Sequence, residues 1–147
     1  MVMREWFGPG SGWDYRVLAT DISMRALEAA GAGVYPREAL RNLPPGWEKR
    51  YFRRADEQTC ALSGEIKGEV IFRRLNLMEP FPFHNPFDLI FCRNVMIYFS
   101  RRTKNELIGR FRDALKPGGY LLIGHSETVE RDTAGLKYLE PSIYQKG

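Results

Sequence analysis

The chain has 147 residues, 44% of them hydrophobic and 27% charged, with a formal net charge of +4 and a sequence pI of about 9.2. That length fits one domain with a core of its own, yet is small for a complete doubly wound enzyme. No apolar run approaches the ~20 residues that cross a bilayer, and no long apolar segment marks a secretory signal. The two cysteines, Cys60 and Cys92, have no metal-ligand spacing and are too few for a disulfide framework. A reducing, cytoplasmic setting without membrane insertion is the expectation.

In chain order, Met1 to Phe7 has the character of a helix end, stopped by Gly8-Pro9-Gly10-Ser11-Gly12. Arg16 to Ile22 reads as a short buried strand with Asp21 at its tip. Ser23 can cap the next helix, Met24 to Ala30, which Gly31 and Gly33 terminate. Tyr35 to Leu43 reads as a second short helical segment, broken by Pro44-Pro45-Gly46, and Trp47 to Arg54 as a helical turn or loop. Ala55 to Gly68 is polar and reads as a hairpin or small excursion. Val70 to Leu75 is strand-like and leads to Asn76-Leu77, after which Pro80, Pro82 and Pro86 forbid regular structure.

Phe87 to Phe99, FDLIFCRNVMIYF, is the most informative stretch. Asp88 opens an apolar run, read as a central strand over Leu89 to Cys92, that ends abruptly in Cys92-Arg93-Asn94. Val95 to Phe99 is a second apolar run carrying one phenol, Tyr98. Central strands of open α/β sheets deliver polar groups in this way to the crevice at their carboxyl ends, where ligands bind. Arg102 to Leu115 is the clearest helix, because Leu107, Ile108, Phe111, Ala114 and Leu115 form one stripe of 3.6-residue period. Lys116-Pro117-Gly118-Gly119 turns into a buried strand, Tyr120 to Gly124, and Leu136 to Gln145 reads as an antiparallel hairpin at the sheet edge around Pro141-Ser142. Alternating strands and helices argue for a mostly parallel sheet covered on both faces.

Several residues carry candidate chemistry. Asp21 at a strand tip suits either a vicinal diol, such as a ribose offers, or the N-cap of the following helix. An amide at Asn76 can donate to and accept from an adenine edge, or simply form a turn. Arg93, just past a buried strand, must find an anion, a carbonyl or water. Tyr98, taken by itself in an apolar run, reads first as a core tyrosine with a satisfied hydroxyl. His125-Ser126-Glu127 evokes a hydrolytic set, but neighbours on a strand end point to alternating faces and cannot form a triad. Cys92 has no histidine placed to activate it. Asn85-Pro86-Phe87 is similar to the Asn-Pro-Pro-aromatic motif of amino-group methylating enzymes, yet it has one proline and precedes the central strand.

Basic residues bunch at Lys49, Arg50, Arg53 and Arg54, at Arg73 and Arg74, and at Arg101, Arg102 and Lys104. They form solvated faces or attract an acidic partner. That partner is nucleic acid or an acidic protein surface. The aromatic interleaving of a single-strand nucleic-acid binder is missing, and charge alone does not choose.

Together, VLATDIS at Val17 to Ser23, Asn76-Leu77 after its strand, FDLIFCRNVMIYF, and LKPGGYLLIGHSE at Leu115 to Glu127 resemble the chemotaxis receptor methyltransferases, the CheR family, in family order and over nearly the whole chain. The resemblance implies a Rossmann-like, S-adenosylmethionine-dependent methyltransferase fold, with residues 1–147 as a partial catalytic domain and 55–70 as a small β excursion. Some members use such an excursion to hold a receptor tail by strand addition. It implies methyl transfer from S-adenosylmethionine to glutamates on acidic cytoplasmic helices of chemoreceptors, with no nucleic acid expected as partner. Asp21 would bind the ribose hydroxyls, Asn76 and Leu77 flank the adenine, Arg93 and Asn94 lie beneath the cofactor, and Tyr98 face the incoming glutamate.

The family's glycine-containing cofactor loop, the strand before it and an N-terminal helical domain should precede Val17. The chain therefore reads as a C-terminal piece of a larger enzyme or a shortened gene product, expected to bind S-adenosylmethionine weakly or not at all when alone. A glutamate nucleophile is already ionised at pH 7, its reference pKa being about 4.3, so no strong base is required. Orientation alone can recover on the order of 7–11 kcal/mol of the barrier. Two rival readings stand beside this one: a methyltransferase for another substrate, and a truncated binding or regulatory module. A dehydrogenase fits poorly, since no glycine-rich dinucleotide fingerprint precedes the Asp21 strand.

Overall fold

Where apolar and β-branched runs end in polar residues, the chain forms short parallel strand pairs. The structure, a computed structural model, describes residues 1–8, 12–125, 127 and 135–147 and divides into two units, 1–76 and 77–147. The stop proposed over residues 8–12 falls partly outside the described residues, as does Ser126.

In the first unit, α1 (Val2–Phe7) precedes β1 (Val17–Asp21), which pairs in parallel with β5 (Val70–Arg74) from Val17 opposite Val70 to Asp21 opposite Arg74. Ser23 caps α2 (Met24–Ala32), its hydroxyl accepting from the Ala26 amide at 3.3 Å. The helix runs two residues past the expected end at Ala30. Gly31 stays helical, and Gly33, left-handed at φ 64°, makes the stop.

The next segment departs from the sequence reading. Tyr35 and Pro36 belong to a strand, β2 (Val34–Pro36), and only Arg37–Leu40 turns, as a 3-10 segment. Proline pushes its predecessor to extended backbone, which favours the strand at Tyr35. α3 (Trp47–Tyr51) leads into β3 (Phe52–Arg54), so Trp47 to Arg54 is half helix and half strand. β4 (Thr59–Leu62) lies between β2 and β3 and is antiparallel to both.

The excursion thus begins at Val34 instead of Ala55, and α4 (Gly64–Gly68) closes it. At the β3–β4 turn, one Asp56 oxygen accepts the Gln58 and Thr59 amides, each at 2.8 Å. The hydroxyl bond from Thr59, then those amides, holds the Asp56 carboxyl below its usual range. Leu40, Tyr51, Phe52, Cys60 and Ile66 form the buried core of this unit.

The second unit is a four-stranded sheet of order β6-β7-β9-β8 built on β6 (Phe87–Cys92), β7 (Leu115–Ile123), β8 (Leu136–Glu140) and β9 (Ile143–Lys146). β6 and β7 are parallel, whereas β9 is antiparallel to both of its neighbours. Ser100 caps α5 (Arg101–Ala114), accepting from the Thr103 amide at 3.2 Å. The expected stripe of α5 is buried: Leu107, Ile108 and Phe111 pack with Met96, Leu115, Leu121, Ile123, Leu136 and Tyr144.

α5 passes straight into β7, so Lys116 to Gly119 is strand instead of turn. The ladder absorbs it as a bulge, with Phe87 opposite Leu115 but Leu89 opposite Tyr120. A Cβ on Gly119 would lie 2.9 Å from the Lys116 carbonyl oxygen, 3.1 Å from that of Phe87 and 3.2 Å from that of Asp88. Only glycine fits there.

Among the described residues, β1 pairs with β5 alone and β6 with β7 alone. Ile71, Leu89 and Phe91 are exposed, so these short strands are less buried than the sequence suggested. No helix among the described residues is long and apolar enough to cross a membrane.

Candidate functional site

The parallel β1/β5 pair brings two candidate residues to one sheet end. Asp21 closes β1 opposite Arg74, and Asn76 follows β5 by two residues, half-buried. The tip is fastened by the Leu75 amide donating to the Asp21 carbonyl at 3.0 Å and by Arg74 Nε donating to the Ile22 carbonyl at 3.3 Å. Asp21 is exposed and is not the helix cap, since Ser23 takes that place. One Asp21 carboxylate oxygen accepts the Ser23 amide at 2.8 Å. The other has no partner among the described residues and is free to accept from a ligand.

The parallel β6/β7 pair makes the corresponding tip of the second unit. Its register ends with Cys92 opposite Ile123, and Arg93 and Asn94 follow. Arg93 is exposed, with no carboxylate or carbonyl partner among the described residues. Asn94 stands at φ 61°, in the left-handed region that asparagine tolerates better than most residues. Leu77 is half-buried and packs against the core of this unit. Tyr98 ends a 3-10 turn, Met96–Tyr98, whose Met96 is buried while Tyr98 is 83% exposed. The phenol is a surface group, and the core reading of it fails because the turn rotates it away from Met96.

Sequence reasoning missed Glu127. It is 4% exposed, and one of its oxygens accepts the Gly124 amide at 2.7 Å and the Asn94 amide at 3.3 Å. Its own amide donates to the Gly124 carbonyl at 2.9 Å. The GHSE string carried the signal: a glycine at a strand end, with a carboxylate three residues later. His125 is exposed whereas Glu127 turns inward, and Ser126, the third member of that string, lies outside the described residues. Burial, and then the Glu127 charge, push the Cys92 thiol up to about 11, the opposite of an activated nucleophile.

The first unit also carries an open basic groove of about 230 Å³, lined by Arg37, Lys49, Arg53 and Arg54 with Glu48, Phe52 and Cys60. Arg53 donates to the Lys49 and Phe52 carbonyls, and Arg54 to that of Asp56. None of these bonds neutralises the positive charge.

Comparison with solved structures shows the fold. The N-methyltransferase NodS from Bradyrhizobium japonicum matches 89% of this chain and 73% of its own, with a TM-score of 0.51 at 17% identity. LepI in complex with SAM matches 99% of this chain and 38% of its own, with a TM-score of 0.51 at 15% identity. The likeness shows a shared α/β fold, here with parallel strand pairs and antiparallel C-terminal strands.

The family is narrower. The profile described as CheR methyltransferase, SAM binding domain, matches residues 1–144, and the chain belongs to that family. A chemotaxis protein methyltransferase from Borreliella burgdorferi is 46% identical over 132 residues, 89% of this chain and 46% of the relative. The one from Escherichia coli is 41% identical over 131 residues, 86% of this chain and 46% of the relative. The chain thus spans about half the length of the curated relatives it matches.

S-adenosylmethionine is the family's ligand, and the residues present fit it. Asp21 has a carboxylate oxygen unengaged among the described residues, of a kind that accepts from a diol. Glu127 keeps one buried oxygen with no hydrogen-bond partner among the described residues.

Proposed function

We propose that this chain is part of a methyltransferase that uses S-adenosylmethionine to methylate glutamate side chains of chemoreceptors, with residues 1–147 forming a partial catalytic domain. The carrying observation is family membership over 1–144 together with two parallel strand pairs whose carboxyl ends bear Asp21, Asn76, Arg93 and Asn94. The cofactor supplies an activated methyl on a sulfonium. Asp21 accepts from the ribose hydroxyls, Asn76 and Leu77 flank the adenine, and Arg93 and Asn94 contact the cofactor from the end of β6. Tyr98, exposed, donates its hydroxyl to orient the incoming carboxylate without protonating it.

The substrate glutamate is ionised at neutral pH, so these residues act by orientation and by excluding water. The groove cations Arg37, Lys49, Arg53 and Arg54 draw in acidic receptor helices, an attraction that weakens as salt rises. The setting is cytoplasmic.

The test is transfer of labelled methyl to receptor membranes by this chain and by a version joined upstream to a glycine-containing cofactor loop. The extended version should label receptor glutamates, and Asp21→Ala and Tyr98→Phe should each lower that labelling at least tenfold. Label appearing in RNA or small molecules but not in receptor would refute the substrate. Calorimetry should find weak or no S-adenosylmethionine binding by the chain alone, and tight stoichiometric binding would refute the view that it is partial.

A further inference from the structure

The β6/β7 ladder stops at Cys92 and Ile123, and the backbone groups beyond it would ordinarily lose their partners. Here a single oxygen of Glu127 takes both freed amides, those of Gly124 and Asn94. The Glu127 amide returns to the Gly124 carbonyl, which the Ser142 hydroxyl also reaches at 3.3 Å. The strand end, the following turn and β9's approach are thus tied at one glycine.

There is no slack at that glycine. A Cβ on Gly124 would stand 2.7 Å from the same Glu127 oxygen, 3.0 Å from Asn94 Oδ1 and 3.1 Å from the Asn94 amide nitrogen. Asn94 meanwhile adopts φ 61°, a conformation that needs outside support in a non-glycine residue. A carboxylate accepting backbone amides makes stronger bonds than a neutral acceptor. Glu127 is 4% exposed, so these bonds form away from competing water.

We propose that Glu127 is a positioning residue. Through Oε2 it holds Asn94 in its left-handed turn and so aims the Arg93–Asn94 corner at the ligand. This rests on the reading of Arg93 and Asn94 as cofactor contacts. Glu127 touches the backbone that presents those side chains and acts through them.

The experiment compares Glu127→Ala and Glu127→Gln with the unaltered chain by amide hydrogen exchange and by titration with S-adenosylhomocysteine, followed at the Asn94 resonance. In Glu127→Ala the Asn94 and Gly124 amides should exchange about tenfold faster or more, as expected for loss of a charged acceptor. Leu107 and Leu121, in the buried core, should stay protected. Affinity should fall at least about tenfold in the same variant. Glu127→Gln keeps a carbonyl acceptor and should recover most of both effects.

Asn94 protection that survives Glu127→Ala overturns the proposal. So does protection lost in step with Leu107 and Leu121, which would mark a general stability role, and so does unchanged affinity. Where the unaltered chain binds no S-adenosylhomocysteine, the same titration in the version extended upstream decides, and if that version also fails to bind, the assignment of Arg93 and Asn94 as cofactor contacts falls. The exchange measurements still decide whether Glu127 holds the turn.

Discussion

Replacing Gly119 by alanine puts a methyl group where three main-chain oxygens already stand. The new carbon would sit 2.9, 3.1 and 3.2 Å from the carbonyl oxygens of Lys116, Phe87 and Asp88. Those oxygens belong to the β6/β7 bulge and cannot swing aside as a flexible side chain could. Overpacking of this kind costs about 1–3 kcal/mol, more than the roughly 0.4–1 kcal/mol that alanine gains by narrowing the unfolded ensemble.

Two neighbours provide contrasts. A Cβ on Gly118 meets nothing within 4 Å, but φ is +75°, so alanine there costs about 1–2 kcal/mol from backbone strain alone. Gly109 lies inside α5 with nothing within 4 Å and no positive φ, so alanine should stabilise by about 0.5–1 kcal/mol. Urea unfolding followed by far-UV circular dichroism reads all three. The three tryptophans, Trp6, Trp13 and Trp47, all precede Asn76, so their fluorescence reports the first unit and serves as an internal control. A Gly119→Ala chain as stable as the parent, or a Gly109→Ala chain as damaged as Gly119→Ala, would refute the reasoning.

Cys92 predicts a pH effect. Its thiol holds its proton to about 11 in the folded chain against an ordinary 9.0, so between those values the unfolded chain binds fewer protons. Stability is therefore full below pH 9 and declines toward pH 11, by about 2–3 kcal/mol; the advantage over Cys92→Ala should shrink across that window, and a constant difference would contradict it. The same thiol should resist alkylation at pH 8 in the native chain and react once urea is added. Leu107→Ala, at a fully buried position, should cost about 2–5 kcal/mol by urea unfolding. Ser100→Ala removes the acceptor for the Thr103 amide and should cost about 0.5–2 kcal/mol, with fraying confined by hydrogen exchange to the first turn of α5.

Local signals were legible where local physics dominates. The α5 stripe, the Ser23 cap and the strands ending in Asp21, Arg74 and Cys92 all follow from periodicity and capping chemistry. What escaped depends on partners far along the chain. Val34–Pro36 is a strand because Thr59–Leu62 pairs with it, and no periodicity within three residues announces that. Tyr98 is exposed because a 3-10 turn intervenes, which an apolar run does not reveal. Glu127 matters through an amide 33 residues earlier, so its spacing to Gly124 was visible but its target was not. Gly119 reads from sequence as a turn former, whereas its hydrogen-for-methyl requirement arises from β6 across the ladder.

β6 leaves one whole flank of main-chain donors and acceptors without a sheet neighbour among the described residues, with Leu89 44% and Phe91 62% exposed on the same strand. Such a rim is adhesive: it welcomes any polypeptide that can lie alongside it in extended form. Light scattering by this chain is therefore expected to rise with its concentration as copies pair along that rim. A short peptide that occupies the vacant rung should keep the solution clear.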